Sequence, residues 1–495
     1  MTDIESLSLA KRALLERALR ERRAAASAQT TIPRRREGGP APLSSGQQRM
    51  WFLQQWERDA PTFNGARALR LRGALDAAAL ERSLREIVRR HETLRTVVAD
   101  GPEPRQMLLD GWSFAMPVIE PEASVGDREA AVRRQLRELA REPFDLTRDL
   151  MLRATLIALA PDEHVLLLRL HHIAADAHSD RVLFTELSEL YAADRERRSP
   201  RLPELPIQYA DFAVWQLARL QGARLQDLSE YWGRQLDGAP PLLRLPTDRP
   251  RRAVQRHEGS HHELALGRGL GDELVAIGRD QGATFFMVML AAFSTLLYRW
   301  SGEEDIVIGS PIANRNNVEV AGLIGFFTNT MALRTRLGAS PSFREVIARA
   351  RATALGAYAH QDLPFEKVVE VVRPKRDPSY NPLFQVNFRA QGSERPALEL
   401  AGLEIEPISV DIGFSRFDLA LELELRADAL AGYVEFDRDL FDLETIVGLE
   451  QDLRALLTQV TADPDLPILA IELPHGRRSA HTPAATKRIG RRSAR

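Results

Sequence analysis

The stretch ATFFMVMLAAFSTLLYRW, residues 283–300, carries no charge until Arg299. A helix that is apolar on every side needs apolar neighbours on every side. Its length is near the lower limit for crossing a bilayer, and no second segment of the kind accompanies it. A helix enclosed in a large protein core is therefore expected. A chain of 495 residues can supply such a core and is too long for a single one. Two large domains, or two lobes with linkers, follow.

Composition narrows the class. The chain is 44% hydrophobic and 27% charged, as in a soluble globular protein. Its net charge of −2 gives no global attraction to nucleic acid or an anionic membrane, and neither is expected as a partner. It has no cysteine, which removes disulfides, thiolate metal sites, iron–sulfur clusters and cysteine nucleophiles together. The N-terminal MTDIESLSLAKRALLERALRERRAAA lacks the apolar core and cleavage signature of a secretory signal. A cytoplasmic monomer is the expectation.

Along the chain, residues 7–25 read as a short amphipathic helix with Leu14, Leu15 and Leu19. TTIPRRREGGPAPLSS then reads as a linker, so the main fold should begin near Leu43. Beyond it, helical and strand-like segments alternate. LDAAALERSLREIVRRHETLR places Leu80, Leu84, Ile87 and Val88 on one helical stripe. EHVLLLRL and DIVIGSPIA are short apolar runs, as in strands covered on both faces. Proline-rich stretches at 200–206 and 240–256 point to a division between about 215 and 250. The last twenty residues hold seven Lys/Arg and no acid, and read as a disordered basic tail.

Three of the eleven histidines fall within LRLHHIAADAHSDRV, residues 168–182. The strand is expected to end at Leu170, and Ser179 or Asp180 to cap the helix that follows. His171 and His172 then sit at a strand-to-loop junction, where a rigid scaffold often holds functional groups. Adjacent residues of an extended chain point to opposite sides, which argues against one metal ion shared by both. An acid–base role needs only one imidazole with its tautomer fixed by a neighbour. A plain polar loop satisfies the pattern equally. HEGSH, His257–His261, matches the H-E-x-x-H pattern of zinc proteases, but that chemistry needs a helix, and Gly259, Ser260 and the alternation of HHELALG favour a strand. No G-x-S-x-G, G-x-x-x-x-G-K-[ST] or G-x-G-x-x-G motif occurs.

HHIAADAHS resembles the H-H-x-x-x-D-G signature of condensation domains of nonribosomal peptide synthetases, members of the chloramphenicol-acetyltransferase-like acyltransferases. LSSGQQRMWFL (43–53), RHETLRT (90–96), YADFAVWQ (209–216), IGSPIANRNNVEVAGLIGFFTNTMALR (308–334), HQDLPFEKVVE (360–370) and RDPSYNPLFQVNF (376–388) resemble that family's other motifs, in its order. The resemblance implies an α/β fold of two acetyltransferase-like sandwich lobes in a V-shaped pseudo-dimer. The lobes would cover 43–225 and 226–470, after a linker over 1–42 and before a tail over 471–495. The active site would lie in a tunnel between them. Donor and acceptor carrier proteins, some within neighbouring synthetase modules, would insert phosphopantetheine arms, and the chain itself would hold no cofactor and no metal. An amine on the acceptor arm would attack the donor thioester to form an amide.

Carried onto this chain, the resemblance makes His172 the active-site histidine, with His171 and Asp176 in more structural roles. Asp176 would pair with Arg315, with Ala177 and Ser179 beside it. Gly325, Phe326 and Asn329 would line the tunnel floor. An α-amine with a pKa near 8 is partly neutral at about pH 7–8, so a base is not required before attack. His172 could take the proton afterwards as a general base, or only position the amine and stabilise charge. The absence of a serine or cysteine elbow favours direct transfer over an acyl-enzyme.

The chain departs from the pattern at Ala177, where the family usually has glycine. If that position needs a positive φ or close backbone approach, a methyl group is costly. Two further readings stay open: a catalytically silent module that docks carriers, and an ester-forming or starter acyltransferase of the same superfamily that uses a soluble acceptor or an acyl-CoA donor. His178 is expected to be solvated.

Overall fold

Among the described residues (31–36, 39–56, 61–121, 128–338, 340–392 and 398–476 of this computed structural model) the chain forms three sheets. The smallest has the order β1 (Ala41–Pro42), β4 (Arg105–Leu108), β3 (Thr96–Ala99). A five-stranded sheet runs β12 (Leu403–Ile408), β2 (Asn64–Gly73), β7 (Glu163–His171), β6 (Leu152–Ala160), β5 (Val118–Ile119). A six-stranded sheet runs β10 (Asn329–Arg336), β9 (Asp305–Ile312), β11 (Val386–Gly392), β13 (Leu419–Leu425), β14 (Leu430–Asp437), β8 (Gly259–Ala265). Helices pack on both large sheets, giving the expected mixed α/β architecture. The amphipathic helix expected over 7–25 and the basic residues from 477 lie outside the described residues.

The continuous apolar run of β7 has the predicted cause. Leu166 and Leu168 point to a cluster with the helices Ala77–Arg90 and Ala177–Arg195. Val165 and Leu167 point the other way, to Val132 and Leu136 of the helix Arg128–Arg141. A strand covered on both faces cannot alternate polar with apolar.

The helix Phe285–Ser301 is enclosed, as its composition requires, against the six-stranded sheet and neighbouring helices. The Thr284 side chain accepts the Met287 N–H at its start, and Gly302 at φ 77° ends it. Among the described residues no single helix is long and apolar enough to cross a membrane. On the opposite face of this sheet the alternation of β11, β13 and β14 leaves polar side chains. There Glu422 accepts hydrogen bonds from the Tyr433 hydroxyl at 2.7 Å and from Arg389 at 3.0 Å.

The two halves interlock. β12, from the second half, pairs antiparallel with β2 at the edge of the first half's sheet. The helix Gly222–Leu236 runs across the 225/226 division, and its Leu228, Trp232 and Leu236 enter the second half's core. Packing also continues past 471, where the tail was expected to start. Ile471 is buried, its carbonyl accepts from Arg299, and the His475 N–H donates to Asp452.

Candidate functional site

The strand β7 extends one residue further than expected, through His171, which is paired with Asn64 of β2. The His172 N–H then donates to the Phe63 carbonyl at 2.9 Å. The helix begins at Ala177, earlier than a cap at Ser179 or Asp180 would set it, because Asp176 is the cap. Asp176 accepts the Ser179 N–H at 2.9 Å and the Ser179 hydroxyl accepts the Asp176 N–H at 3.2 Å. This reciprocal pair satisfies two otherwise free donors, a gain that a cap at Ser179 would forgo. The loop holding His172 is thus short and pinned at both ends.

The two histidines have different surroundings. His171 is 1% exposed, and its ring meets the edges of Phe63 and Phe144. Its Nδ1 accepts the Ile173 N–H at 3.1 Å, so the ring proton sits on Nε2, facing Gln54. Burial, with smaller effects of His172 and Arg416, lowers its pKa to about 3. It is a neutral packing residue.

His172 is half-buried. Its Nδ1 lies 3.2 Å from the Ala175 carbonyl, which can only accept, so Nδ1 carries the proton and Nε2 presents its lone pair. Burial is the main cause of its low pKa, about 3, followed by the charge of Arg416. Arg67 adds in the same direction, while the Ala175 carbonyl and Asp176 oppose it. The ring is neutral across the physiological range.

Asp176 is a hub. Its Oδ1 takes Arg315 Nη2 at 3.0 Å and the Ser179 hydroxyl at 2.8 Å, and its Oδ2 takes the Phe327 N–H at 3.0 Å. Arg315 also donates to the Val320 and Leu323 carbonyls and lies 4.1 Å over the Phe327 ring. The two charged side chains are 4% and 1% exposed. The expected pairing is present, and it binds the 320–328 loop of the second half to the histidine loop of the first.

The 324–329 segment is held by residues from several other segments. Ser179 accepts the Gly325 N–H, and Tyr209 donates to the Phe326 carbonyl at 2.6 Å while sharing a hydrogen bond with Ser44. His91 Nδ1 accepts the Ile324 N–H and its Nε2 bonds Glu186 at 2.9 Å. Asn329 donates to the Gln361 and Leu363 carbonyls and accepts the Phe365 N–H. Gly325 and Phe326 lie in one loop, and Asn329 begins β10 just after it. Phe326 packs in the cluster with Ile173 and Ala174 of the histidine loop, whereas Asn329 bonds the 361–365 segment.

Ala177 is the first helical residue, exposed and at an ordinary helical φ, so its backbone does not need glycine. His178 is half-buried, and its Nε2 lies 3.2 Å from the Ala321 carbonyl in an exposed contact. His261 of HEGSH lies on a strand, His257 precedes it at φ 58°, and no cluster of metal-binding side chains occurs among the described residues.

Sequence reasoning missed Arg416. It lies in a second-half loop, donates to the Thr62 carbonyl at 2.9 Å and places its guanidinium 4.5 Å over the Phe63 ring. A lone arginine between strands has no periodicity or motif to single it out.

Residues 38–480 match the family model described as the condensation domain. The chain is 43% identical over 436 residues to a component of the linear gramicidin synthase of Brevibacillus parabrevis, covering 87% of this chain and 6% of that protein. It is 42% identical over 477 residues to phosphinothricin tripeptide synthetase PhsC of Streptomyces viridochromogenes, covering 95% of this chain and 44% of that protein. The chain therefore spans less than half the length of these relatives. Among solved structures, the X-domain from teicoplanin biosynthesis superposes with a TM-score of 0.80 at 31% identity, over 89% of this chain and 99% of that one. The first condensation domain of the calcium-dependent antibiotic synthetase gives 0.75 at 20% identity, over 88% of this chain and 99% of that one, and shows the same fold. With the family model matched over most of the sequence and relatives above 40% identical, the chain belongs to the condensation-domain family of nonribosomal peptide synthetases.

Proposed function

We propose that the chain joins a carrier-bound acyl donor to a carrier-bound amine acceptor. The observation that carries this reading is the Nδ1–Ala175 carbonyl contact, which leaves His172 Nε2 as a free acceptor on a pinned loop. The acceptor nitrogen attacks the thioester carbon, the C–N bond forms, the C–S bond breaks, and the thiolate stays on the donor arm. One proton leaves the nitrogen, passes through His172 Nε2 and ends on that sulfur, giving the thiol.

The low pKa of His172 bears on when that proton moves. An imidazolium with a pKa of about 3 is a much stronger acid than an α-ammonium with a pKa near 8. His172 therefore does not deprotonate a bound ammonium, and the acceptor arrives neutral. Nε2 accepts a hydrogen bond from the amine and receives the proton only after C–N bond formation has made the nitrogen acidic. His171, Asp176, Ser179 and Arg315 orient the loop. Gly325 and Phe326 shape the floor beneath it. The chain needs no cofactor of its own in this scheme; the phosphopantetheine arms belong to the carrier partners.

A second reading has its own support. The similar X-domain was also solved in a complex with OxyB, and it matches this chain at 31% identity with a TM-score of 0.79. A carrier-docking module without catalysis would keep the same fold. A single-turnover mass assay separates the two. Donor and acceptor carriers are loaded and the acceptor is weighed with wild-type protein or His172→Ala. A gain equal to the donor acyl group, lost in the variant, supports amide formation. Carrier binding without any mass gain supports the docking module.

A further inference from the structure

Arg416 joins the two halves at the histidine loop. Its backbone is fixed within the second half: Asn381 donates to its carbonyl at 2.6 Å, and Glu435 of β14 accepts its N–H. Its side chain crosses to the first half, to Thr62 and Phe63. Phe63 is the residue whose carbonyl holds the His172 N–H and whose ring packs against His171. The same short turn therefore receives the arginine on one side and fixes both histidines on the other. Among the described residues the guanidinium has one hydrogen bond, to Thr62, and no carboxylate within ion-pair distance. Burial lowers even its own pKa, to about 10, so its charge is poorly screened by water.

We propose that Arg416 is a positioning residue for His172, clamping the Thr62–Phe63 turn from the second half and setting a fixed positive charge against protonation of the imidazole. The proposal rests on His172 being the acceptor group of the site. The groups that act on His172 are Arg416 from the 409–418 loop, Arg67 from β2, and Asp176 and the Ala175 carbonyl from its own loop. Arg67 is already bound to Asp180 at 2.9 Å, and Asp176 to Arg315 at 3.0 Å, so each of these charges is largely compensated. The Arg416 guanidinium has no carboxylate bonded to it; Glu435 offsets its charge in part, and Arg49 is the like charge that faces it. The arrangement makes the proton-accepting state of the histidine depend on closure of one half on the other.

The test measures the onset of His172 protonation by NMR of the histidine-labelled chain, in wild type, Arg416→Lys and Arg416→Gln, over the pH range in which each protein stays folded. His172→Ala assigns the signal. The expected result is a rise of the His172 pKa by about one unit in Arg416→Gln and a near-wild-type value in Arg416→Lys, which keeps the charge. An unmoved titration in a folded Arg416→Gln overturns the proposal, and so does an equal shift in both variants, because packing rather than charge would then be responsible. The NMR titration needs no turnover. If no variant forms product, the condensation reading fails while the titration still decides the role of Arg416.

Discussion

Asp176 and Arg315 lie 139 residues apart in sequence and 3.0 Å apart in space, both almost fully buried. Removing one partner strands the other charge away from water, which costs about 3–5 kcal/mol. Asp176→Asn should therefore lower stability by that order, and Arg315→Met should do likewise. The double variant should lose less than the sum of the two, because neither charge is left alone. Denaturant unfolding of the four proteins checks this. Additive losses would mean that the two side chains act separately on their loops.

Gly325 lies in the 320–328 loop where a methyl group has no room. A Cβ there would sit 2.3 Å from Tyr209 Cδ2 and 2.6 Å from Phe327 Cε2. Both rings are themselves buried. Gly325→Ala should cost about 1–3 kcal/mol and displace Phe326. Hydrogen exchange should show lost protection at the amides of Ile324, Gly325 and Phe327, which bond His91, Ser179 and Asp176. Unchanged protection with unchanged stability would show that Tyr209 can yield.

The sequence was most legible where chemistry is local. The stripe of Leu80, Leu84, Ile87 and Val88, the enclosed helix after Thr284 and the two-sided burial of β7 all follow from spacing alone. The family motifs located the histidine loop and the loop around Gly325, and the fold they imply is the one the similar structures share. Long-range placement was not legible. The alternation of LEIEPI is compatible with a strand but does not say that it pairs with β2, some 330 residues earlier. The cap was misplaced because Asp176, Ser179 and Asp180 are all good capping residues, and only the reciprocal bond decides among them. Arg416 acts through contacts with Thr62 and Phe63 that no pattern near residue 416 encodes.

His171 should make the fold acid-sensitive. Its pKa is about 3 in the folded chain against 6.5 for an unperturbed imidazole. Between those values the unfolded chain binds a proton that the folded chain refuses. Stability contributed here is present above pH 6.5 and falls as pH drops through the window, by about 1.4 kcal/mol per pH unit. Denaturant unfolding between pH 7 and pH 4 should show that slope. His171→Gln, which keeps a polar group of similar reach but cannot titrate there, should remove this share and leave the similar share that His172 contributes, although its stability at pH 7 is expected to be lower. A slope identical in both proteins would assign the acid sensitivity to other groups.

Ala177 replaces the usual glycine of the motif, and the structure gives a specific expectation for restoring it. The residue is the first of the helix, its φ is not positive, and its methyl group faces outward. Alanine therefore meets no strain there, whereas glycine adds freedom to the unfolded chain and costs about 0.5–1 kcal/mol in a helix. Ala177→Gly should be slightly less stable and no faster in the carrier mass assay. A tenfold or greater gain in rate would mean that substrate passes close enough to the 177 backbone for one methyl group to obstruct it. In that case the departure at 177, rather than any loss in the histidine loop, would be what slows this chain relative to a domain with glycine there.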